Sequence, residues 1–492
     1  MSWVVLIILV CVACMWLVNK KRKNRLFWKH VMAIPGPKGL PIIGTAYNLD
    51  SSERVFQRDR ELCNTYFPIY KKYAFGFAIV NLTTPEDIQL VLSNSKHNQK
   101  GIFYRMLEDW IGLGVLTSNG EMWHRRRKLL TPAFHFKILE DFLHIFNKET
   151  KQLVQYFKEN CDKPYIDVVD PITRFTLFSI GETAFGKDFQ EDPKCEDYVQ
   201  AVHDYGEDFV YRIVRPWFLI PWLYKLSPSG RRHQHVLKIL NDFSSVVISE
   251  RSKSFKIDIN SNVYESKRMR LLDLMLSTKI KRGGIDDGGI KDEVNGFIFG
   301  GHDTTGTALC HALLLLANEP LVQEKIYEEI VTVAGNTDDP NFPQLAQLRY
   351  MDRCIKECLR IFPSIPSISR VAREDITTTT GYIIPKRCNI RINIFDLHRR
   401  PEFWEYPERF DADRFLLENV LKRHQYSYIP FSAGSRNCLG QKYGLLEMKA
   451  ALYGILRSFK MEAVTKPCDM RHKGDIVLRH ACEMRIKFIP KD

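Results

Sequence analysis

Ten residues toward the C-terminal end, Phe431 to Gly440, read FSAGSRNCLG and set one cysteine among glycines. Phe431, Gly434, Arg436, Cys438 and Gly440 give the pattern F-x-x-G-x-R-x-C-x-G. A thiolate that ligates a metal must accept backbone N–H bonds, which tune its basicity, and glycine lets the backbone approach the sulfur. Arg436 adds positive charge for an anionic group beside it. An isolated cysteine is ordinarily a small buried hydrophobe, but five set positions in ten residues argue for a ligand.

Three other groups carry chemistry-bearing side chains. Trp123 and Arg127 stand four apart, so on a helix an indole N–H and a guanidinium reach toward one carboxylate. Lys291 to Asn318 is apolar and free of proline, with Gly300-Gly301-His302-Asp303-Thr304-Thr305 at its centre. Each mid-helix glycine costs about 1 kcal/mol relative to alanine, which points to something approaching that backbone closely. Asp303 could equally be a solvated helix residue, and Thr304 a hydroxyl bonded to its own helix. Glu357 and Arg360, three apart, form an E-x-x-R pair of a kind many surface helices contain.

Together these segments resemble the cytochromes P450, and the likeness runs over essentially the whole chain. The resemblance implies that Cys438 ligates haem iron, with Phe431 and Gly434 shaping its loop. Trp123, Arg127, Arg370 and Arg436 would meet the haem propionates. Gly301 matches the position where the distal helix opens to admit O2. Asp303 and Thr304 match the acid–alcohol pair: Thr304 bonds iron-bound dioxygen or water, and Asp303 relays protons. Glu357 and Arg360 would join Arg414, in FDADRF, where Ala412 replaces the usual proline; Arg409 is the alternative third member.

The resemblance is closest to the fourth family, which includes fatty-acid ω-hydroxylases and many insect enzymes. Leu116 to Leu139 (LTSNGEMWHRRRKLLTPAFHFKIL) and Arg423 to Ala450 carry it. Many members have glutamate just before the G-H-D-T-T run, where it forms an ester with a haem methyl group. Here that position is Gly300, so haem b (iron protoporphyrin IX) is expected to be held non-covalently. By position Phe103, Leu113, Phe297, Ile365 and Ile368 are expected to line an apolar substrate pocket. Fatty acids or related aliphatic chains are the first expectation, with xenobiotics, insecticides or terpenoids as the alternative. A haem-thiolate isomerase or lyase, or a haem sensor, would be a different class of function.

These residues need a large scaffold, and 492 residues supply one. Asn389 to Ile394 alternates polar and apolar, Ile69 to Leu82 reads as a hairpin and Met484 to Ile489 as a further strand. Helical patterns dominate elsewhere, so the fold is expected to be mainly α with small β-sheets. Residues 1–19 are read as a membrane anchor: Trp3 to Val18 is an apolar run of 16 residues, roughly 24 Å as helix. Six basic residues between Lys20 and Lys29 follow it and put the remainder in the cytosol. Residues 20–45 form a basic and proline-rich hinge, and 46–492 one catalytic domain. The endoplasmic reticulum membrane is the expected location, and the twelve cysteines are expected to remain thiols there.

The net charge of +13 comes with no nucleic-acid motif. An anionic membrane face and an acidic electron donor account for it. No G-x-G-x-x-G on a βαβ unit is present, so electrons from NADPH must come through a separate cytochrome P450 reductase, with cytochrome b5 as a further donor. Arg125, Arg126, Lys128 and Lys442 form the expected docking patch. Tyr211 to Leu226 (YRIVRPWFLIPWLYKL) reads as a lid dipping into the membrane interface or as a buried helix pair.

Overall fold

The computed structural model describes residues 24–40, 43–45, 51–190, 192–255 and 269–491. The anchor read at residues 1–19 lies outside the described residues. Among those described, no helix is long and apolar enough to cross a membrane.

Helix α1 (Arg25–Ala33) buries Trp28 and Val31 in the core beneath a sheet. Part of the segment read as hinge is thus helix seated on the body. The proline-rich stretch after it is tied down where the Lys71 N–H bonds the Pro35 carbonyl at 2.8 Å. Helix α2 (Ser52–Thr65) follows, capped by Ser51, whose hydroxyl accepts the Arg54 N–H.

Strands β1 (Ile69–Ala74) and β2 (Phe77–Leu82) form the expected hairpin. Phe75 and Gly76 both take positive φ (48° and 78°), the turn whose twist suits a two-residue hairpin. The strongly basic helix α3 (Gly120–Leu130) then carries Trp123 and Arg127. Helix α4 (Val169–Ile180) packs under the long central helix, and α5 (Lys194–Ile213) lies above the cavity, which Phe209, Val210 and Ile213 help to line.

The central helix α6 (Asp287–Ala317) has 31 residues, begins at an Asp286 cap bonded to the Gly289 N–H, and is unbroken through Gly300 and Gly301. From Ala308 to Ala317 it is apolar apart from His311, because that end is buried on all sides. Helix α7 (Arg349–Ile361) carries the E-x-x-R pair. Strand β3 (Ser367–Val371) and the alternating β4 (Asn389–Asn393) complete a four-stranded sheet of order β1-β2-β4-β3, with β2 and β4 parallel. Helix α8 (Gln441–Ser458) starts just beyond Cys438. Strand β5 (Phe459–Ala463) pairs with β6 (Arg485–Pro490), as the C-terminal pattern predicts. The molecule is mainly helical with small sheets, and its ten described cysteines are free thiols.

Candidate active site

The loop before α8 is held open by its backbone. Gly434 has φ +72°, and a Cβ there would lie 1.9 Å from the Leu92 carbonyl oxygen, so only glycine fits. The Cys438 N–H bonds the Phe431 carbonyl at 2.9 Å, which closes the loop and turns the thiol into a cavity of about 450 Å³. The Cys438 thiol is open to the cavity, but the protein packed around it desolvates it and pushes it up, while the Gly440 N–H and the Arg127 charge pull it down. Arg127 reaches the same loop directly, donating to the Asn437 carbonyl at 2.7 Å and to its side-chain oxygen at 2.8 Å.

Around this loop four cations gather. Arg436 is buried, donates to the Ser118 carbonyl at 2.9 Å and stacks 4.5 Å over the Trp123 ring. Arg370 is buried behind the cavity wall, donating to the Ser369 carbonyl at 3.0 Å and to the Ser432 hydroxyl at 3.4 Å. Lys100, which no local pattern marked, lies 4.1 Å over the Tyr104 ring and lines the cavity. Among the described residues no carboxylate pairs with Lys100, Arg127, Arg370 or Arg436. Burial and mutual repulsion hold Lys100 well below the usual lysine range, and burial with Arg370 beside it brings Arg436 down to about 9. Four desolvated positive groups without a counter-charge suit a ligand carrying two negative ones.

Helix α6 forms the opposite wall. Gly300 faces open space, with nothing within 4 Å of where its Cβ would be. Gly301 has a different reason: a Cβ there would stand 2.6 Å from Ile180 Cγ1, so its absence lets α6 and α4 close up. Thr304 lines the cavity, and its hydroxyl donates to the Gly300 carbonyl at 2.7 Å. Asp303 is turned away from the cavity. Both its oxygens accept from Arg479, at 2.7 and 2.8 Å, and Arg479 also meets Asp475 at 3.2 Å. Asp475 lines the cavity, and burial raises its carboxyl to about 6.

A thiol and a ring of unpaired cations facing a glycine–threonine helix match what the comparisons return. The family model for Cytochrome P450 matches residues 34–488. The chain is a cytochrome P450. It is 35% identical to Cytochrome P450 4c3 of Drosophila melanogaster, over 96% of this chain and 92% of that one. It is 36% identical to human Cytochrome P450 4V2, over 94% and 90%. Probable cytochrome P450 4ac1 of D. melanogaster is 37% identical over 85% and 82%. These likenesses are to the fourth family, and the chain is a monooxygenase of this haem-dependent class. The residues present fit the haem group: one thiol, and an uncompensated cationic cradle for its two propionates.

In this P450 the core supports the site from behind. Glu357 and Arg360 pair at 2.7 and 2.8 Å, both fully buried, and Arg414 Nε lies 3.3 Å from Glu357. Arg409 contributes its backbone carbonyl to Arg360, at 3.3 Å. Of the five pocket candidates, Phe103, Phe297, Ile365 and Ile368 line the cavity. Leu113 does not; its side chain is exposed, because its backbone N–H is drawn to Asp292 at 2.9 Å. Arg125, Lys128 and Lys442 are exposed, whereas Arg126 turns inward, 3.8 Å from the buried Glu293. Between Tyr211 and Leu226, the side chains of Trp217, Ile220, Trp222 and Leu226 are exposed.

Proposed function

We infer that this P450 binds haem through Cys438 without a covalent ester and oxidises lipophilic aliphatic chains, fatty acids foremost. The reading rests on one observation: a single cavity joins the Cys438 thiol to the apolar side chains of Phe103, Phe297, Ile365 and Ile368. Haem on a thiolate supplies the dioxygen cleavage that puts one oxygen atom into a C–H bond. Trp123, Arg127, Arg370 and Arg436, with Lys100, would hold the propionates. Thr304 offers a hydroxyl at the cavity wall to orient oxygen or water, and Asp303 passes protons when Arg479 releases it.

Gly300 supports the non-covalent reading, since it has no side chain to react. Haem that is not tied down at this position would favour the chain end less strictly, which keeps xenobiotics, insecticides and terpenoids as the second reading. Electrons come from NADPH through a separate reductase docking on Arg125, Lys128 and Lys442, with cytochrome b5 as a further donor. The exposed Trp217, Ile220, Trp222 and Leu226 suit an interfacial lid on the endoplasmic reticulum membrane.

Reconstitution with NADPH–cytochrome P450 reductase and C12–C20 fatty acids, with mass-spectrometric location of the hydroxyl, tests this. Hydroxylation at or near the chain end is expected. No turnover by enzyme that still gives a thiolate-type CO spectrum would overturn the fatty-acid reading in favour of the second.

A further inference from the structure

The cavity does not end in apolar side chains. Away from Cys438 its lining includes Asp59 on α2, Lys72 on β1 and Arg391 on β4, with Val55, Leu62 and Ile79 beside them. Asp59 is buried and accepts from both Lys72 and Arg391, whose side chains are half-buried. Arg391 Nε donates to the Ser367 hydroxyl at 3.0 Å. Among the described residues its remaining nitrogen, Nη2, has no hydrogen-bond partner. Arg58 lines the same stretch, but Glu61 takes its charge at 2.8 Å.

The charges do not balance. Asp59 is held ionised, its carboxyl down at about 2 against the burial that would raise it, by Arg391 and Lys72. Two cations on one anion leave a single positive charge, partly desolvated, in the wall of a cavity that is otherwise largely apolar. A guanidinium with a free edge is suited to one carboxylate. The haem cradle cannot serve that purpose, because its cations are committed to two propionates.

We propose that Arg391, steered by Lys72 and Asp59, anchors the carboxylate of an amphiphilic substrate, so that its apolar chain runs down the cavity toward Cys438. This rests on the fatty-acid reading above and deepens it: the enzyme distinguishes acids from the corresponding alcohols at this anchor. Arg391 is a specificity residue and takes no part in the oxidation itself. Asp59 sets the net charge of the anchor and limits how tightly the acid is held.

Optical titration of the ferric holoenzyme with dodecanoic acid and with dodecan-1-ol tests the anchor without turnover. The wild-type enzyme is expected to bind the acid more tightly than the alcohol. Arg391→Met should weaken the acid about tenfold or more, the worth of a charge-assisted hydrogen bond, and leave the alcohol unchanged. Asp59→Asn should act in the opposite direction, tightening the acid severalfold and again sparing the alcohol. A triad that only ties α2 to the sheet would move acid and alcohol together in both variants, and that result overturns the proposal. Binding of neither compound to wild-type enzyme would instead remove the fatty-acid reading, and the anchor with it.

Discussion

Lys100, Arg127, Arg370 and Arg436 crowd around the Cys438 loop with no carboxylate paired to them among the described residues, whereas Lys72 and Arg391 close on Asp59. Both groups touch one cavity, yet they solve the burial of charge differently. The cradle leaves its counter-charge to the cofactor, so protein and haem complete each other. The outer triad supplies most of its counter-charge itself, so it persists without a ligand and keeps one positive charge for a transient one. Residual charge therefore separates a site for a permanent dianion from one for a passing monoanion.

The largest expected effect breaks the comparison on the cradle side. Arg436→Leu should speed haem loss about ten- to hundredfold, read by transfer to an excess of apomyoglobin. Arg391→Leu should leave that rate unchanged, and an equal effect of the two would erase the distinction between them.

Next is the acid limb of stability. The Asp59 carboxyl sits lower in the folded protein than in the unfolded chain, so its contribution is present above about pH 4 and is lost as pH falls toward about 2. At neutral pH it amounts to about 2 kcal/mol. Asp59→Asn should lower the thermal midpoint at pH 7 and change it little at pH 2, so the variant's curve is flatter through the acid range.

The smallest effect sharpens the cradle's side of the argument. Lys100 binds its proton less readily in the folded protein than when unfolded, so folding stability falls as pH drops from the ordinary lysine range toward its lowered value. Lys100→Met should remove that slope in the apoprotein. The haem-loaded protein, whose propionates counter the charge, should show no such difference in its unfolding midpoint between pH 6 and 9.

Much of the site was legible because its parts are local. The cysteine loop is ten consecutive residues, the Glu357–Arg360 pair is one helical turn, and the β4 alternation follows from a strand with two unlike faces. Lys100, Arg391 and Arg479 were missed because nothing in their neighbouring sequence differs from that of any surface cation. Leu113 misled because an apolar residue in a pocket-forming loop was expected to point inward. The backbone bond from Leu113 to Asp292 turns it out. Arg126 carried the same charge as Arg125 and Lys128 in the sequence, and only the packing of α3 against α6 turns it toward Glu293.

The sequence alone determined the chemistry: a thiol in a glycine loop, a glycine–threonine helix, and a missing side chain at Gly300. These depend on residue type and short spacing, which covalent connectivity and helical periodicity fix. The tertiary structure alone decided which charges are paired. Asp303 meets Arg479 across 176 residues and Asp59 meets Arg391 across 332. Such partners are chosen by how helices and sheet pack, because a buried charge takes whatever opposite charge or ligand the fold brings within reach.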